Sequence, residues 1–178
     1  MPRLLSGEAF PMLRMAGPPD VNLSVPGLVL KLHRFGGPHL PFESLKIAGW
    51  LFSAFIVWAA ARLALRPVAP RLEPLAWLVI LGLATLRSPF LIGYGVFQGV
   101  WVASILLAVC WSDGRRRWIV LALWASLLWT TAGPPTLPPA VIAGITTLQT
   151  AAILALFVLA IRVGRAAAAA PATVAAAS

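Results

Sequence analysis

Arg87, Ser88 and Pro89 stand together between two apolar runs of a 178-residue chain. A guanidinium beside a hydroxyl, with a proline that frees backbone groups from helical bonding, suits the oxygens of a phosphate diester or pyrophosphate. A plainer reading is an arginine anchored among lipid headgroups. A charge in hydrocarbon costs roughly 2.5–3.5 kcal/mol on insertion scales unless it reaches an interface, an aqueous cavity or a partner. Pattern alone favours the anchor. Asn22 and Ser24 could hydrogen-bond a sugar hydroxyl, but both residue types also cap helices, and the cap reading is favoured. His33 and His39 lie six apart beside glycines and read as surface histidines rather than a metal pair. Cys110, the only cysteine, excludes an internal disulfide and a thiolate metal cluster, and reads as a small hydrophobe in an apolar run.

The acids say what chemistry is missing. Glu8, Asp20, Glu43, Glu73 and Asp113 are the complete set, and each falls outside the apolar runs. Proton-coupled pumps and metal transporters place carboxylates or histidines at membrane depth, so a transporter half is a minor reading. No glycine-rich phosphate loop, metal-ligand spacing or nucleophile elbow occurs. The sequence therefore assigns no catalytic residue, no metal and no cofactor.

The elements that would position these residues are apolar helices. Hydrophobic residues make up 60% of the chain and charged residues 11%, against about 25% charged in an ordinary soluble domain. The formal charge of +9 would suit nucleic acid, but the basic residues sit at the ends of apolar runs and read as topology signals instead. Nucleic acid is not an expected partner; membrane lipids are. Twelve of the fourteen basic residues are arginine, which with abundant Ala, Gly and Pro points to a GC-rich bacterial genome.

The expected architecture is all-α: a polytopic integral membrane bundle of four to five spans with a short N-terminal interfacial helix. Residues 1–19 read as irregular. Residues 20–46 form an extracytoplasmic segment whose short amphipathic helix is capped by Ser24, admits Pro26 in its first turn and ends at Gly36. Its face carries Leu28, Leu32 and Phe35, with Lys31 and Arg34 elsewhere. Residues 47–165 form the transmembrane domain, with spans at 47–65, 75–86, 90–111, 118–131 and 140–163. The second and fourth are short enough that full crossing stays open, and 90–111 reads as the clearest, its Gly93, Gly95 and Gly99 allowing close helix approach. The Ala-rich tail, 166–178, reads as disordered. Arg62, Arg66 and Arg71, then Arg115, Arg116 and Arg117, then Arg162 and Arg165 recur at alternate turns. The positive-inside rule assigns those turns to the cytoplasm of a multi-pass inner-membrane protein, with Arg87 and Asn22 outside.

Leu86-Arg87-Ser88-Pro89-Phe90-Leu91 with Gly93-Tyr94-Gly95 and Trp101 resembles the C-terminal part of bacterial polytopic glycosyltransferases of family 87. The segment from Asp20 to Leu28 resembles an Asn-containing stretch upstream in such proteins. The similarity covers roughly residues 20–165. It implies the GT-C fold and transfer of a mannose-like sugar from a polyprenyl-phosphate donor on the extracytoplasmic face. Arg87 would then hold the lipid phosphate, assisted by Ser88 and Asn22. Family members are much longer, and nothing here matches the part that carries their catalytic carboxylate. The implied protein is a C-terminal portion that lacks an N-terminal half and is inactive alone. The alternative is a small non-enzymatic membrane scaffold or assembly subunit.

Overall fold

A computed structural model describes residues 20–41, 43–65, 68–88, 91, 93–131 and 137–169. The expectations for 1–19 and for 170–178 fall outside these residues. Among the described residues the chain is all-helical, with six α-helices: α1 Val25–Lys31, α2 Glu43–Ala64, α3 Glu73–Leu86, α4 Val96–Val109, α5 Gly114–Thr131 and α6 Pro139–Ala169.

At α1 the local chemistry is as the sequence requires. Ser24 Oγ accepts the Gly27 N–H at 2.9 Å, and Pro26 sits in the first turn, where no helical bond is owed by its nitrogen. A single 3-10 turn, Leu32–Phe35, extends the helix to Gly36, whose φ of 80° takes the left-handed conformation that ends it. The orientation of the helix departs from expectation. Lys31 is fully buried, whereas Leu32 and Phe35 are 43% and 55% exposed. The apolar side chains thus point outward and the lysine inward, because a polar partner on α6 draws the ammonium in.

Among the described residues two helices are long and apolar enough to cross a membrane, Lys46–Ala64 and Pro139–Ala168. Among the described residues of the expected run 90–111, the α-helix covers Val96 to Val109 and is preceded by a turn at Gly93–Gly95. Fourteen residues rise about 21 Å, short of the roughly 30 Å of a bilayer core. The same holds for α3. Helix α6 runs on through residues 166–169 rather than fraying there, as alanine is the best helix former.

The bundle packs α6 against α3, α4 and α5, with α2 and α1 along one flank. Its core is Leu75, Val79, Leu83, Val102, Leu106, Leu127, Ile153, Leu156 and Phe157, all buried. Gly99 sits where three helices meet: a Cβ there would lie 2.8 Å from Ile153 and 2.9 Å from Leu127. Phe157 packs over Gly82, and Gly164 faces Val68. Residues 20–24, 87, 91 and 146–150 share one end of the bundle. Residues 62, 68, 110–117 and 162–165 share the other.

The surface is largely apolar. Trp50, Leu51, Phe55, Val57, Trp58, Trp77, Leu81, Phe97, Trp101, Trp118 and Leu148 are all exposed. Just 22% and 44% of the two long apolar stretches are buried, so neither is an enclosed core helix.

Candidate functional site

The buried polar residues among those described converge where the segment 20–36 meets the N-terminal half of α6. Asp20, Asn22, Ser24 and Lys31 from the segment, and Thr146, Gln149 and Thr150 from α6, are all buried. Burying such groups is tolerated only when they bond one another.

The Asp20 carboxylate receives Arg34 in a two-pronged pair, Nε to Oδ1 at 3.1 Å and Nη2 to Oδ2 at 3.0 Å. Lys31 Nζ donates to Thr146 Oγ1 at 2.6 Å, and the Thr146 hydroxyl lies 2.7 Å from the Asp20 carbonyl oxygen. Burial pushes the Lys31 ammonium down to about 8, against the opposing pull of the Asp20 charge. One ion pair, one lysine and one hydroxyl thus join residues far apart in the chain.

Asn22 closes a second connection. Its Oδ1 accepts the N–H groups of Ser24 and Leu91, each at 3.0 Å. Leu23 N–H donates to the Leu91 carbonyl at 2.7 Å, and Thr150 Oγ1 donates to the Leu23 carbonyl at 2.9 Å. The Asn22 side chain lies on the bare face of Gly27, where a Cβ would come within 2.5 Å of it. Its amide oxygen fastens the N-terminal segment to the α3–α4 connection.

Arg87 has a different setting. It follows the last turn of α3, is exposed, and its Nε donates to Ser53 Oγ on α2 at 2.8 Å. The Ser53 hydroxyl in turn donates to the Gly49 carbonyl at 2.8 Å. Nearby, Gln98 Nε2 donates to Thr85 Oγ1 at 2.8 Å, linking α4 to α3. Ser88 N–H donates to the Thr85 carbonyl at 3.0 Å. The structure therefore brings Arg87, Ser88 and Asn22 to one end of the bundle, with Arg87 on the surface and Asn22 in the interior. Their engagement differs: Arg87 meets a side-chain hydroxyl, Asn22 two backbone amides.

The histidine rings meet at a tilt, with centroids of His33 and His39 5.0 Å apart and planes 37° apart, and His33 Nδ1 lies 2.6 Å from the Leu30 carbonyl. Among the described residues no three His, Cys, Asp or Glu side chains gather in a way that could hold a metal ion. Cys110 is buried at the end of α4.

Sequence reasoning missed Lys31, Thr146 and Thr150. A signal was present: Ile145-Thr146-Thr147-Leu148-Gln149-Thr150 interrupts an apolar helix with hydroxyls and an amide, and Thr146 and Thr150 share a face four residues apart.

No protein-family model matches the chain, and no curated protein or solved structure matches it either.

Proposed function

We propose that this chain is a polytopic protein of the bacterial inner membrane, with four to five helices embedded in the bilayer, and that it serves as a non-catalytic membrane subunit. What supports membrane residence is the inversion of the usual polarity. Large apolar side chains cover the outside of α2, α3, α4 and α6 while the charged and amide groups of one end lie inside. Soluble monomers rarely expose apolar patches of more than a few hundred Å². Tryptophans at the arginine-bearing end strengthen the reading. Arg117 lies 5.4 Å from the Trp111 ring and 5.7 Å from the Trp118 ring, and Arg62 lies 5.5 Å from that of Trp58, the pairing expected at a headgroup layer.

The observation that carries the non-catalytic assignment is Asp20. Among the described residues it is the one buried carboxylate at the capped end, and both its oxygens are held by Arg34. A carboxylate so engaged is a poor general base. The test is reporter-fusion topology with fusions at residues 87, 114 and 137. Residues 87 and 137 are expected outside and 114 inside. Residues 87 and 114 in the same compartment would break the multi-span reading.

A second reading keeps the likeness to polyprenyl-phosphate-sugar transferases. It is favoured by Arg87, an exposed guanidinium oriented by Ser53 at the end assigned to the extracytoplasmic side. In this reading the chain supplies the phosphate grip for a donor lipid, and the carboxylate comes from another segment. Arg87→Ala should weaken binding of a polyprenyl phosphate to the purified protein, and Arg87→Lys should restore part of it. Unchanged binding in both variants reduces Arg87 to an anchor.

A further inference from the structure

A cavity of about 610 Å³ opens along the flank between α2 and α6, at the end of the bundle opposite the polar cap. Its walls are apolar: Phe55 and Trp58 from α2, Leu154, Phe157 and Ile161 from α6, with Leu83 of α3 behind them. Three arginines, Arg62, Arg162 and Arg165, line it as well. Arg62 lies in the last turn of α2, and Arg162 and Arg165 lie in the C-terminal third of α6, so charge gathers at one end of an otherwise greasy groove.

Those guanidiniums find no carboxylate among the described residues. The ion pairs there are Arg34 with Asp20, Lys46 with Glu43 and Arg116 with Asp113. Arg165 adds a sharper signal: its Nε is buried and has no hydrogen-bond partner among the described residues. Buried N–H groups are nearly always satisfied, so an acceptor from outside the chain is called for. Three like charges disfavour a second copy of this protein as the occupant. Apolar walls disfavour a free anion.

We infer that the groove between α2 and α6 binds one anionic phospholipid, its phosphate on Arg62, Arg162 and Arg165 and an acyl chain along Phe55, Leu154 and Phe157. Basic pockets between helices at the cytoplasmic face take anionic headgroups by this logic. The inference rests on the membrane reading above but not on Arg87, which lies at the other end.

The test uses the full chain extracted in detergent, titrated with phosphatidylglycerol and phosphatidylcholine and read by native mass spectrometry. One phosphatidylglycerol should be retained about tenfold or more tightly than phosphatidylcholine. Arg62→Gln with Arg165→Gln should abolish that preference. Val158→Trp, a half-exposed position on the groove wall, should weaken retention while leaving the charges in place. Arg71→Gln with Arg115→Gln removes the same charge from exposed positions outside the groove and should change nothing. Equal retention of the two lipids overturns the inference. So does equal loss in the Arg71 and Arg115 variant, which would mean net charge alone. Displacement by soluble glycerol phosphate, or full retention in Val158→Trp, removes the acyl-chain seat and overturns it too. Each of these leaves membrane residence standing if the protein still requires detergent for extraction. Release of the protein by alkaline carbonate alone would sink both.

Discussion

The two ends of the bundle treat charge in opposite ways. At one end Asp20, Lys31 and Arg34 are drawn together, and the acid and the lysine are wholly buried, bonded to each other's surroundings. At the other, Arg62, Arg115, Arg116 and Arg162 remain exposed and Arg117 is half-buried, with Arg62 and Arg117 resting on tryptophan rings. One end answers its own electrostatics from within the chain. The other pairs Arg116 with Asp113 and leaves Arg62, Arg162 and Arg165 without a carboxylate among the described residues. The difference teaches that a basic residue near the end of an apolar helix is not one kind of signal. Its meaning depends on whether a carboxylate and a hydroxyl can reach it.

The contrast is broken most forcefully at Asp20. Asp20→Ala leaves a buried lysine and a half-buried arginine without their counter-charge, and should cost about 3–5 kcal/mol in detergent unfolding. Removing Asp113, the exposed acid of the opposite end, should cost about 1 kcal/mol or less by the same measurement. Equal effects would erase the distinction between the ends.

Lys31 gives the contrast a pH dependence. Its ammonium titrates near 8 when folded and near 10.5 when unfolded. Between those values the unfolded chain binds more protons, so stability rises with pH across that window and is lost again as pH falls through about 8. The rise should amount to about 3 kcal/mol. Lys31→Met should flatten it in pH-dependent thermal unfolding. A slope that survives the substitution would assign the proton elsewhere.

A smaller effect sharpens the inner architecture of the cap. Gly27→Ala should cost about 1–3 kcal/mol by crowding the Asn22 amide. Asn22→Ala should cost a similar amount by stranding the amides of Ser24 and Leu91. The two together should cost less than their sum, since the smaller side chain makes room for the methyl group, and a double-mutant cycle measures that coupling. At the opposite end Arg117→Ala should shift stability by about 1 kcal/mol or less, the scale of an exposed cation–π contact.

What could be read ahead of the structure was local. Ser24, Pro26 and Gly36 bracket α1 because capping and termination are decided within a few residues. The existence of α2 and α6 followed from apolar length, although α2 begins at Glu43 rather than 47 and α6 runs to Ala169 rather than 163. The inward turn of Lys31 could not be read this way: on an isolated helix the lysine belongs with solvent, and only Thr146, 115 positions away, reverses that. Nor could the break at 91–95. There the backbone of Leu91 leaves the helical pattern to bond Asn22 and Leu23, and glycines read as packing residues form a turn instead. At the candidate site, Arg87 was legible as a charge between apolar runs, while its partner Ser53 was not, being one small hydroxyl inside a long helix.

The tie between Lys31 and Thr146 also bears on how the chain is made. Synthesis delivers the lysine early and the threonine late, with four helices in between. Until α6 arrives, α1 has nowhere to set its charge down. A nascent chain halted before residue 146 therefore carries an open lid, and α6 is the latch that lets it shut.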